Sequence, residues 1–335
     1  MFEPDLALVW MVLLAFAVLA YVLLDGFDLG IGILFPWLPD ARERTTAMNS
    51  VAPVWDGNET WLVLGGGGLF AVFPLAYAVI LPALYAPIVA MLVGLILRGV
   101  AFEFRGAARA RPYRWDRAFF AGSLIAALAQ GITLGALVQG IPVAGRSYAG
   151  GWWDWLTPFS IVTGIALAVG YCLLGATWLV LKTEGELAQR ARRFARRFAW
   201  ATLAGILVFS VWTPFLQAGY VDKWFSWPAL LYTMPVPLLV AACGGMLLLS
   251  LARGRHGTPF LYAEALFVLS FIGLMISFWP YVVPHSVTFR EAAAPDASLR
   301  FLLVGALFLL PLILVYTAGV YRVFRGKVRA GEGYH

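Results

Sequence analysis

The stretch LALVWMVLLAFAVLAYVLL, residues 6–24, decides the fold class, because it carries no charged side chain over 19 consecutive positions. A helix of about 20 apolar residues crosses the hydrocarbon layer of a bilayer. Of all 335 residues, 61% are apolar and only 13% are charged. A soluble chain of this length cannot bury so much apolar surface, and disorder needs low hydrophobicity. The composition therefore predicts an all-α polytopic membrane protein, a single integral membrane domain over residues 1–335.

Eight further apolar runs follow the first one. The N-terminus shows neither a basic leader region nor a small-residue cleavage site, so we predict that the first run is kept as a membrane span. Pro74 is the only break between the second and third runs and predicts a tight turn there. The nine predicted spans centre on 6–24 with an apolar extension to Leu38, 57–74, 78–102, 118–139, 157–181, 198–217, 228–250, 259–282 and 300–321.

The basic residues set the predicted orientation. With the N-terminus outside, 19 of the 24 Lys and Arg residues fall in the inner connections and the C-terminal tail, four fall outside, and Arg98 lies within a span. Cytoplasmic loops are enriched in Lys and Arg, so this asymmetry predicts an outer N-terminus and a cytoplasmic C-terminus. It also explains the net charge of +6 without a nucleic-acid partner.

Ionisable residues inside or beside the spans are the most informative, because each costs several kcal/mol in hydrocarbon unless it is paired or hydrated. Asp25 and Asp28 lie three positions apart and share one face of a helix. Asp56 and Glu59 repeat that spacing at the start of the second span.

These charges are predicted to lie near the cytoplasmic side. Asp25 lies roughly 28 Å along a helix that starts outside. Arg98 and Glu103 end the third span, and Glu264 begins the eighth. Carboxylates reaching inward from one face are what a proton-uptake path needs.

Structural roles are open for the same residues. Asp56 could cap its helix through the N-terminal amides. Arg98 and Glu103 could form structural ion pairs, and Glu264 is more simply interpreted as an interfacial residue.

Neutral residues within the spans also carry signals. The run Gly65–Gly68 indicates either close helix contact or access for a small ligand. Gln130, Thr133 and Gln139 indicate inter-helix hydrogen bonds or contact with a lodged lipid-like molecule.

The sequence offers no evident ligand set for a redox centre. His256, His285 and His335 all fall outside the middle of the spans, and Cys172 and Cys243 are predicted to be packed free thiols. A membrane haem needs an axial residue pointing inward from a helix. Proton-handling groups without a redox centre suggest one part of a larger complex.

Three motifs resemble subunit II of the cytochrome bd-type quinol oxidases. They are DGFDLG at residues 25–30, PVWDGNETWLVL at 53–64 with its glycine run, and LRGVAFEFR at 97–105. The segments WPYVVP at 279–284 and EAAAP at 291–295 fit the same family. The resemblance covers essentially the whole chain, and the Glu59-Thr60 variant is similar to the cyanide-insensitive branch.

The resemblance implies a complex in the bacterial inner membrane that reduces O2 to water with electrons from quinol. It implies a fold of two four-helix bundles plus one peripheral helix. The haems, b and d or b alone, belong to the partner subunit I, and this chain holds none. The resemblance also allows a structural quinone here and a small single-helix accessory subunit. Carried over, Asp56 marks a proton route and Trp61 the start of an oxygen path.

We therefore expect a non-haem oxidase subunit that stabilises subunit I and supplies protons through Asp56, with Asp25, Asp28 and Glu59 as relay or support. A proton-coupled secondary transporter is the rival interpretation, because intramembrane carboxylates and broken helices also fit a transporter. A purely structural assembly subunit is the third.

Overall fold

The computed structural model describes residues 5–107 and 112–328, which form a bundle of long helices with two small hairpins. The basic residues Arg109, Arg111 and Arg329, and His335, lie outside these ranges. Fourteen α-helices, two short 3-10 helices (Phe35–Trp37 and Thr213–Phe215) and four strands are described. The α-helices and strands are α1 (Leu6–Leu34), α2 (Ala41–Asn49), α3 (Trp55–Val72), α4 (Pro74–Ala83), α5 (Tyr85–Ala107), α6 (Pro112–Gln139), β1 (Val143–Ala144), β2 (Ser147–Tyr148), α7 (Pro158–Lys182), α8 (Gly185–Trp212), α9 (Ala218–Phe225), α10 (Ala229–Thr233), α11 (Pro235–Ala252), α12 (Thr258–Phe278), β3 (Tyr281–Val283), β4 (Val287–Thr288), α13 (Phe289–Ala292) and α14 (Asp296–Val323).

The predicted all-α membrane architecture is confirmed. Within the described ranges, eight helical segments are long and apolar enough to cross a bilayer, and a ninth arises if α3 and α4 count as one bent span. Helix α1 continues through Asp25 and Asp28 without a break, as the apolar extension to Leu38 indicated. Helix α8 begins at Gly185, so most of the basic segment before residue 198 is helical.

The predicted start of the third span is wrong. The helix direction changes by 119° between α3 and α4, with Phe73 between the two helices and Pro74 as the first residue of α4. Pro74 lacks a backbone N–H and restricts the residue before it, so the helix cannot run straight through. Helix α4 then ends at Ala83, and the third span starts at Tyr85 instead of near residue 78.

Helix α7 is the centre of the bundle and α14 is its least buried long helix. The most apolar window of α7 is 72% buried, against 6% for α14. Helices α1, α6, α8 and α12 all pack on α7. Glycines bring α1 close to α7, because a Cβ at Gly30 would overlap the carbonyl oxygen of Tyr171. This close approach lets α7 cover the glycine face of α1, behind the acidic residues.

Salt bridges between helix ends and loops assign these segments to two opposite ends of the bundle. At one end, Arg190 of α8 pairs with Glu43 of α2 at 3.1 Å, and Arg105 of α5 pairs with Asp116 of α6 at 2.6 Å. At the other end, Arg290 pairs with Asp5 at 2.9 Å. Each pair joins segments that the sequence predicts on the same side of the membrane. The end that contains Arg105 and Arg190 is called the basic end below, and the opposite end is called the Asp5 end.

Candidate functional site

Arg98 is the centre of a buried ionic cluster. Its side chain is fully buried on α5, where Nη1 pairs with the Asp25 carboxylate of α1. Nη2 lies 2.6 Å from Oε2 of Glu59 on α3. The guanidinium also lies 5.9 Å from the centre of the Trp55 ring. One arginine therefore joins three spans, and each of its two terminal nitrogens has a different carboxylate partner.

Asp28 extends this cluster through Asn58. The amide Nδ2 of Asn58 donates to Oδ2 of Asp28 at 2.8 Å and to the Leu24 carbonyl at 3.1 Å. The hydroxyl of Tyr321 on α14 donates to Oδ1 of Asn58 at 2.9 Å. All side-chain polar atoms of Asn58 are thus used to connect α1, α3 and α14. Below, the Arg98 cluster means Asp25, Asp28, Asn58, Glu59 and Arg98.

Helical spacing explains why the acids converge. Asp25 and Asp28 lie three positions apart, so both face α3 and α5, and both are fully buried. Gly26 and Gly30 lie on the part of α1 that approaches Tyr171 of α7. Without side chains at these two positions, α7 covers the acidic segment of α1 from behind.

A second polar chain leads from the cluster toward the Asp5 end. Gln130 of α6 donates to the hydroxyl of Tyr21 at 2.6 Å and accepts from the hydroxyl of Tyr171 at 2.8 Å. Tyr21 lies one helical turn from Asp25 on α1. The inter-helix interpretation of Gln130 is therefore confirmed, and the two tyrosines were not foreseen.

Asp56 and Glu59 have different surroundings despite their shared motif. Glu59 points at Arg98, and 28% of its side chain stays exposed. Asp56 is exposed in the first turn of α3. The N-cap of this helix is Val54, so Asp56 does not occupy the capping position, although its negative charge suits the helix N-terminus. The exposure of these carboxylates therefore decreases from Asp56, through Glu59, to the buried Asp25.

Trp61 and Glu103 lie outside the hydrogen bonds of the cluster. Trp61 is 2% exposed and packs edge-on against Phe16, with ring centres 5.6 Å apart. Glu103 is exposed near the end of α5.

The glycine run has two kinds of surroundings. A Cβ at Gly65 or Gly68 would contact Val18 or Leu14 of α1, while Gly66 and Gly67 have nothing within 4 Å in that direction. The run therefore serves helix contact on one side and leaves an open surface on the other.

The described histidines and cysteines lie apart from the Arg98 cluster. His256 and His285 lie in connections, and no group of three His, Cys, Asp or Glu that could hold a metal ion occurs in the described ranges. Cys172 and Cys243 are free thiols, as predicted. The polar groups of this site are carboxyl, guanidinium, amide and phenol groups, of which the carboxyl groups can bind and release protons.

Sequence reasoning missed Asn58, Tyr21, Tyr171 and Tyr321. Asn58 lies inside a quoted motif, yet a neutral side chain gives no burial cost large enough to attract attention. The signal that could have found it is its position two residues from Asp56 and one from Glu59, inside an otherwise apolar span.

Comparisons with known proteins agree over nearly the full chain. Residues 6–324 match the family described as cytochrome bd terminal oxidase subunit II. The chain is 31% identical to cytochrome bd ubiquinol oxidase subunit 2 of Bacillus subtilis, covering 96% of this chain and 97% of that one. It is 29% identical to cytochrome bd-I ubiquinol oxidase subunit 2 of Escherichia coli K12, covering 96% and 95%. A chain in the structure of the bd oxidase from Geobacillus thermodenitrificans has the same fold, with a TM-score of 0.77, 18% identity and coverage of 96% and 99%.

Proposed function

We propose that this chain, which belongs to the family of cytochrome bd terminal oxidase subunit II, supplies protons to a haem-bearing subunit I and stabilises it in the bacterial inner membrane. The complex is a quinol oxidase, an oxidoreductase that reduces O2 to water. Haem b and haem d, or haem b alone, lie in subunit I and supply the electron transfer. The Arg98 cluster is the observation that carries the proposal for this chain.

Charge counting supports a proton role. Asp25, Asp28 and Glu59 would place three negative charges beside the single positive charge of Arg98 if all were ionised. Excess charge is costly in a low-dielectric interior. Each proton bound relieves part of that excess. The cluster therefore has a physical reason to take up protons and share them.

The order of exposure supports a direction of transfer. Asp56 is exposed at the start of α3, Glu59 is partly exposed, and Asp25 and Asp28 are buried. We assign Asp56 to proton collection at the surface, Glu59 to transfer past Arg98, and Asp25 and Asp28 to proton storage. The basic end, which lies nearest to Asp56, is the cytoplasmic side in this proposal because of the excess of Lys and Arg there.

Trp61 and the glycine run support an oxygen route. Trp61 is buried in a small cluster with Ala17, Ala20 and Tyr21, one turn before Gly65. Gly66 and Gly67 leave the adjacent surface of α3 open. A small apolar molecule such as O2 dissolves in hydrocarbon, so an opening of this kind beside an apolar cluster suits its passage.

Exposed apolar faces support the docking of subunit I. Val63 and Phe70 of α3 are 70% and 61% exposed, and they flank the open glycines. Small residues let helices from a partner approach closely in a membrane. We place the packing of subunit I on this face of α3. A structural quinone and a single-helix accessory subunit are further components that the family resemblance allows.

The packing of the helices supports the two-bundle arrangement. Helix α1 packs on α3 and α6, and α6 packs on α5. Helix α8 packs on α7 and α11, and α12 packs on α7 and α11. We therefore assign α1, α3, α5 and α6 to one bundle, α7, α8, α11 and α12 to the other, and α14 to the periphery.

The test is turnover of the whole oxidase with Asp56→Asn and, separately, Glu59→Gln. Both changes keep the shape of the side chain and remove its ability to carry a proton. We expect lower O2 consumption with nearly unchanged haem spectra, because the haems are in subunit I. The matched control is Glu103→Gln on the exposed part of α5. Full activity in both Asp56→Asn and Glu59→Gln would contradict the proton role and favour a purely structural subunit.

The rival transporter function is tested by the same preparation. A purified complex that contains haem and a second large subunit supports the oxidase. A colourless single species that takes up solute would contradict it.

A further inference from the structure

Two arginines on α8 have no part in the proposed proton path. Arg192 and Arg196 lie four positions apart, so they share one face of the helix. The same face carries Leu203, seven positions after Arg196. Leu203 packs on α11, because a Cβ at Gly244 would lie 2.6 Å from its Cδ2 atom. Both arginines therefore lie on the side of α8 that faces α11, at the basic end of the bundle.

The end of α11 shows how closely Arg192 approaches. Gly254 follows this helix with a positive φ of 73°, and its amide donates to the Leu251 carbonyl at 3.3 Å. The next amide, that of Arg255, donates to the Ser250 carbonyl at 3.2 Å. This pattern is that of a Schellman C-cap, which favours glycine at the position with positive φ. A Cβ at Gly254 would lie 3.3 Å from Nη1 of Arg192, so the glycine also leaves room for the guanidinium.

Arg192 has a buried nitrogen without an acceptor. Its Nη1 atom is buried and has no hydrogen-bond partner in the part of the chain that the structure describes. A buried donor of a charged group is costly unless it finds an acceptor. No carboxylate of the described ranges pairs with Arg192 or Arg196, whereas Arg190 on the same helix pairs with Glu43 at 3.1 Å. The described residues thus leave this positive charge without a partner.

An apolar groove leads from these arginines into the membrane region. On α8, Trp200 and Leu207 are 62% and 65% exposed, four and eleven positions after Arg196. On α11, the small residues Ala241 and Gly245 are exposed, and a Cβ at Gly245 would have nothing within 4 Å. Gly245 directly follows the glycine that packs on α8. Small residues beside a helix contact allow close approach, so this side of the α8–α11 contact is open to another molecule.

The length of the groove matches one leaflet of a bilayer. The 11 positions from Arg196 to Leu207 span about 16 Å along a helix. Half of the hydrocarbon core is about 15 Å. A phospholipid with its phosphate at Arg196 would therefore reach Leu207 with the end of an acyl chain. Trp200 lies near the arginine end of the groove, and tryptophan is enriched at the headgroup level of membranes.

We propose that the α8–α11 groove binds an anionic phospholipid of the leaflet at the basic end, with its phosphate on Arg192 and Arg196 and an acyl chain beside Gly245. The phosphate oxygens supply the acceptor that Nη1 of Arg192 lacks, and the planar guanidinium suits phosphate. A lipid with net negative charge complements the two arginines. Phosphatidylcholine suits the site less, because its choline cation cancels the phosphate charge. The proposed function places subunit I on α3, so the lipid and subunit I occupy different helices.

The experiment is native mass spectrometry of the intact, delipidated oxidase, titrated with phosphatidylglycerol and, separately, with phosphatidylcholine. We expect phosphatidylglycerol to bind more tightly. In the double variant Arg192→Gln with Arg196→Gln, the affinity of the tightest-bound phosphatidylglycerol should fall about fivefold for each arginine, which corresponds to about 1 kcal/mol per arginine. Equal affinity of the unmodified oxidase for the two lipids would overturn the proposal.

The matched control is the double variant Arg42→Gln with Arg114→Gln. It removes two exposed arginines from other segments of the basic end, so the change in total charge is the same. Its affinity for phosphatidylglycerol should equal that of the unmodified oxidase. Equal losses in the two double variants would overturn the proposal, because the attraction would then belong to the whole basic end. No loss in Arg192→Gln with Arg196→Gln would overturn it as well.

Gly245→Leu tests the acyl chain independently of the arginines. The new side chain extends into open space and fills the groove, so the affinity for phosphatidylglycerol should fall. Gly305→Leu on α14 is the control, because a Cβ there also has nothing within 4 Å, and it should leave the affinity unchanged. Unchanged affinity in Gly245→Leu would contradict the proposed position of the lipid.

The lipid result does not depend on the role of the Arg98 cluster. Lipid binding is measured without turnover, so full activity in Asp56→Asn and Glu59→Gln would contradict the proton path and leave the affinity for phosphatidylglycerol unaltered.

Discussion

Two ion pairs in this molecule join distant segments at similar distances, yet they differ in burial, in screening by water and salt, and in the cost of breaking them. Arg98 and Glu59 approach to 2.6 Å in the bundle interior, where the Arg98 side chain is fully buried. Arg290 and Asp5 approach to 2.9 Å at the opposite end, where 71% of the arginine side chain is exposed. Water and salt screen the second pair, so it contributes at most about 1 kcal/mol. The first pair is screened less, because the Arg98 side chain is fully buried and only 28% of the Glu59 side chain is exposed.

The comparison shows that contact distance alone says little about energy. A buried pair adds modest net stability when intact, because both groups lost their hydration. Removing one member is costly, because the other member remains buried without compensation. The Arg98 cluster is thus better understood as a device that holds carboxylates inside the membrane than as a source of stability.

The largest expected effect is that of Arg98→Gln. The change removes the cationic partner of both Asp25 and Glu59 within the cluster. Breaking a buried ion pair by removing one member costs about 3–5 kcal/mol. We expect poor assembly of the oxidase and a much lower unfolding temperature, measured by thermal denaturation of the purified complex.

The double variant Arg98→Gln with Asp25→Asn sharpens this prediction. Neutralising both members removes the uncompensated charge, so the double variant should be more stable than Arg98→Gln alone. A double variant less stable than the single one would contradict the view of the cluster as a compensated buried charge.

A smaller effect is expected for Asn58→Ala. The change removes the amide that donates to Asp28 at 2.8 Å and leaves the Tyr321 hydroxyl without its acceptor. Leaving a buried polar group unsatisfied costs about 1–3 kcal/mol. The control is Thr60→Ala, an exposed position two residues later on α3, which should be nearly neutral. Equal unfolding temperatures for the two variants would contradict a structural role of Asn58.

The smallest effect is expected for Asp5→Ala. Asp5 caps α1 by accepting from the Leu8 amide at 3.1 Å, and loss of such a cap costs about 1 kcal/mol. Arg290→Gln is the control, because it removes the exposed pair and keeps the cap. It should change the unfolding temperature less than Asp5→Ala, and at high salt it should have almost no effect.

The ion pair at the Asp5 end also predicts a pH dependence. The Leu8 amide, followed by Arg290, holds the pKa of Asp5 below its ordinary value of 3.8. The folded state therefore binds the proton less readily than the unfolded state, so the contribution of Asp5 is complete above pH 3.8. It should be lost as the pH falls through the lowered pKa of the folded state, and Asp5→Ala should abolish that loss. If Asp5→Ala lost stability at low pH to the same extent as the unmodified protein, the assignment of this loss to Asp5 would be contradicted.

The sequence predicted the helices far better than it predicted the partners of their charges. Long apolar runs identify spans because length and hydropathy alone decide insertion. The start of α5 was misplaced because the bend at Phe73 and Pro74 adds the short helix α4, and a single proline does not reveal how long the next helix is.

Within the candidate site, burial was predictable and pairing was not. Asp25, Asp28 and Arg98 were singled out because ionisable groups in a span need compensation. Their pairing depends on how α1, α3 and α5 pack, since Arg98 lies 73 positions from Asp25 and 39 from Glu59. No local pattern encodes such a separation. Neutral partners such as Asn58 and Tyr321 also lack the large burial cost that draws attention to a charged residue in a span.

The central claim, that the Arg98 cluster supplies protons for O2 reduction, is tested most directly by time-resolved proton uptake. The reduced complex would be mixed with O2 in the presence of a pH indicator, with Glu59→Gln compared against Glu103→Gln and the unmodified oxidase. We expect slower uptake in Glu59→Gln alone, with unchanged haem spectra. Uptake at the same rate in all three complexes would contradict the claim.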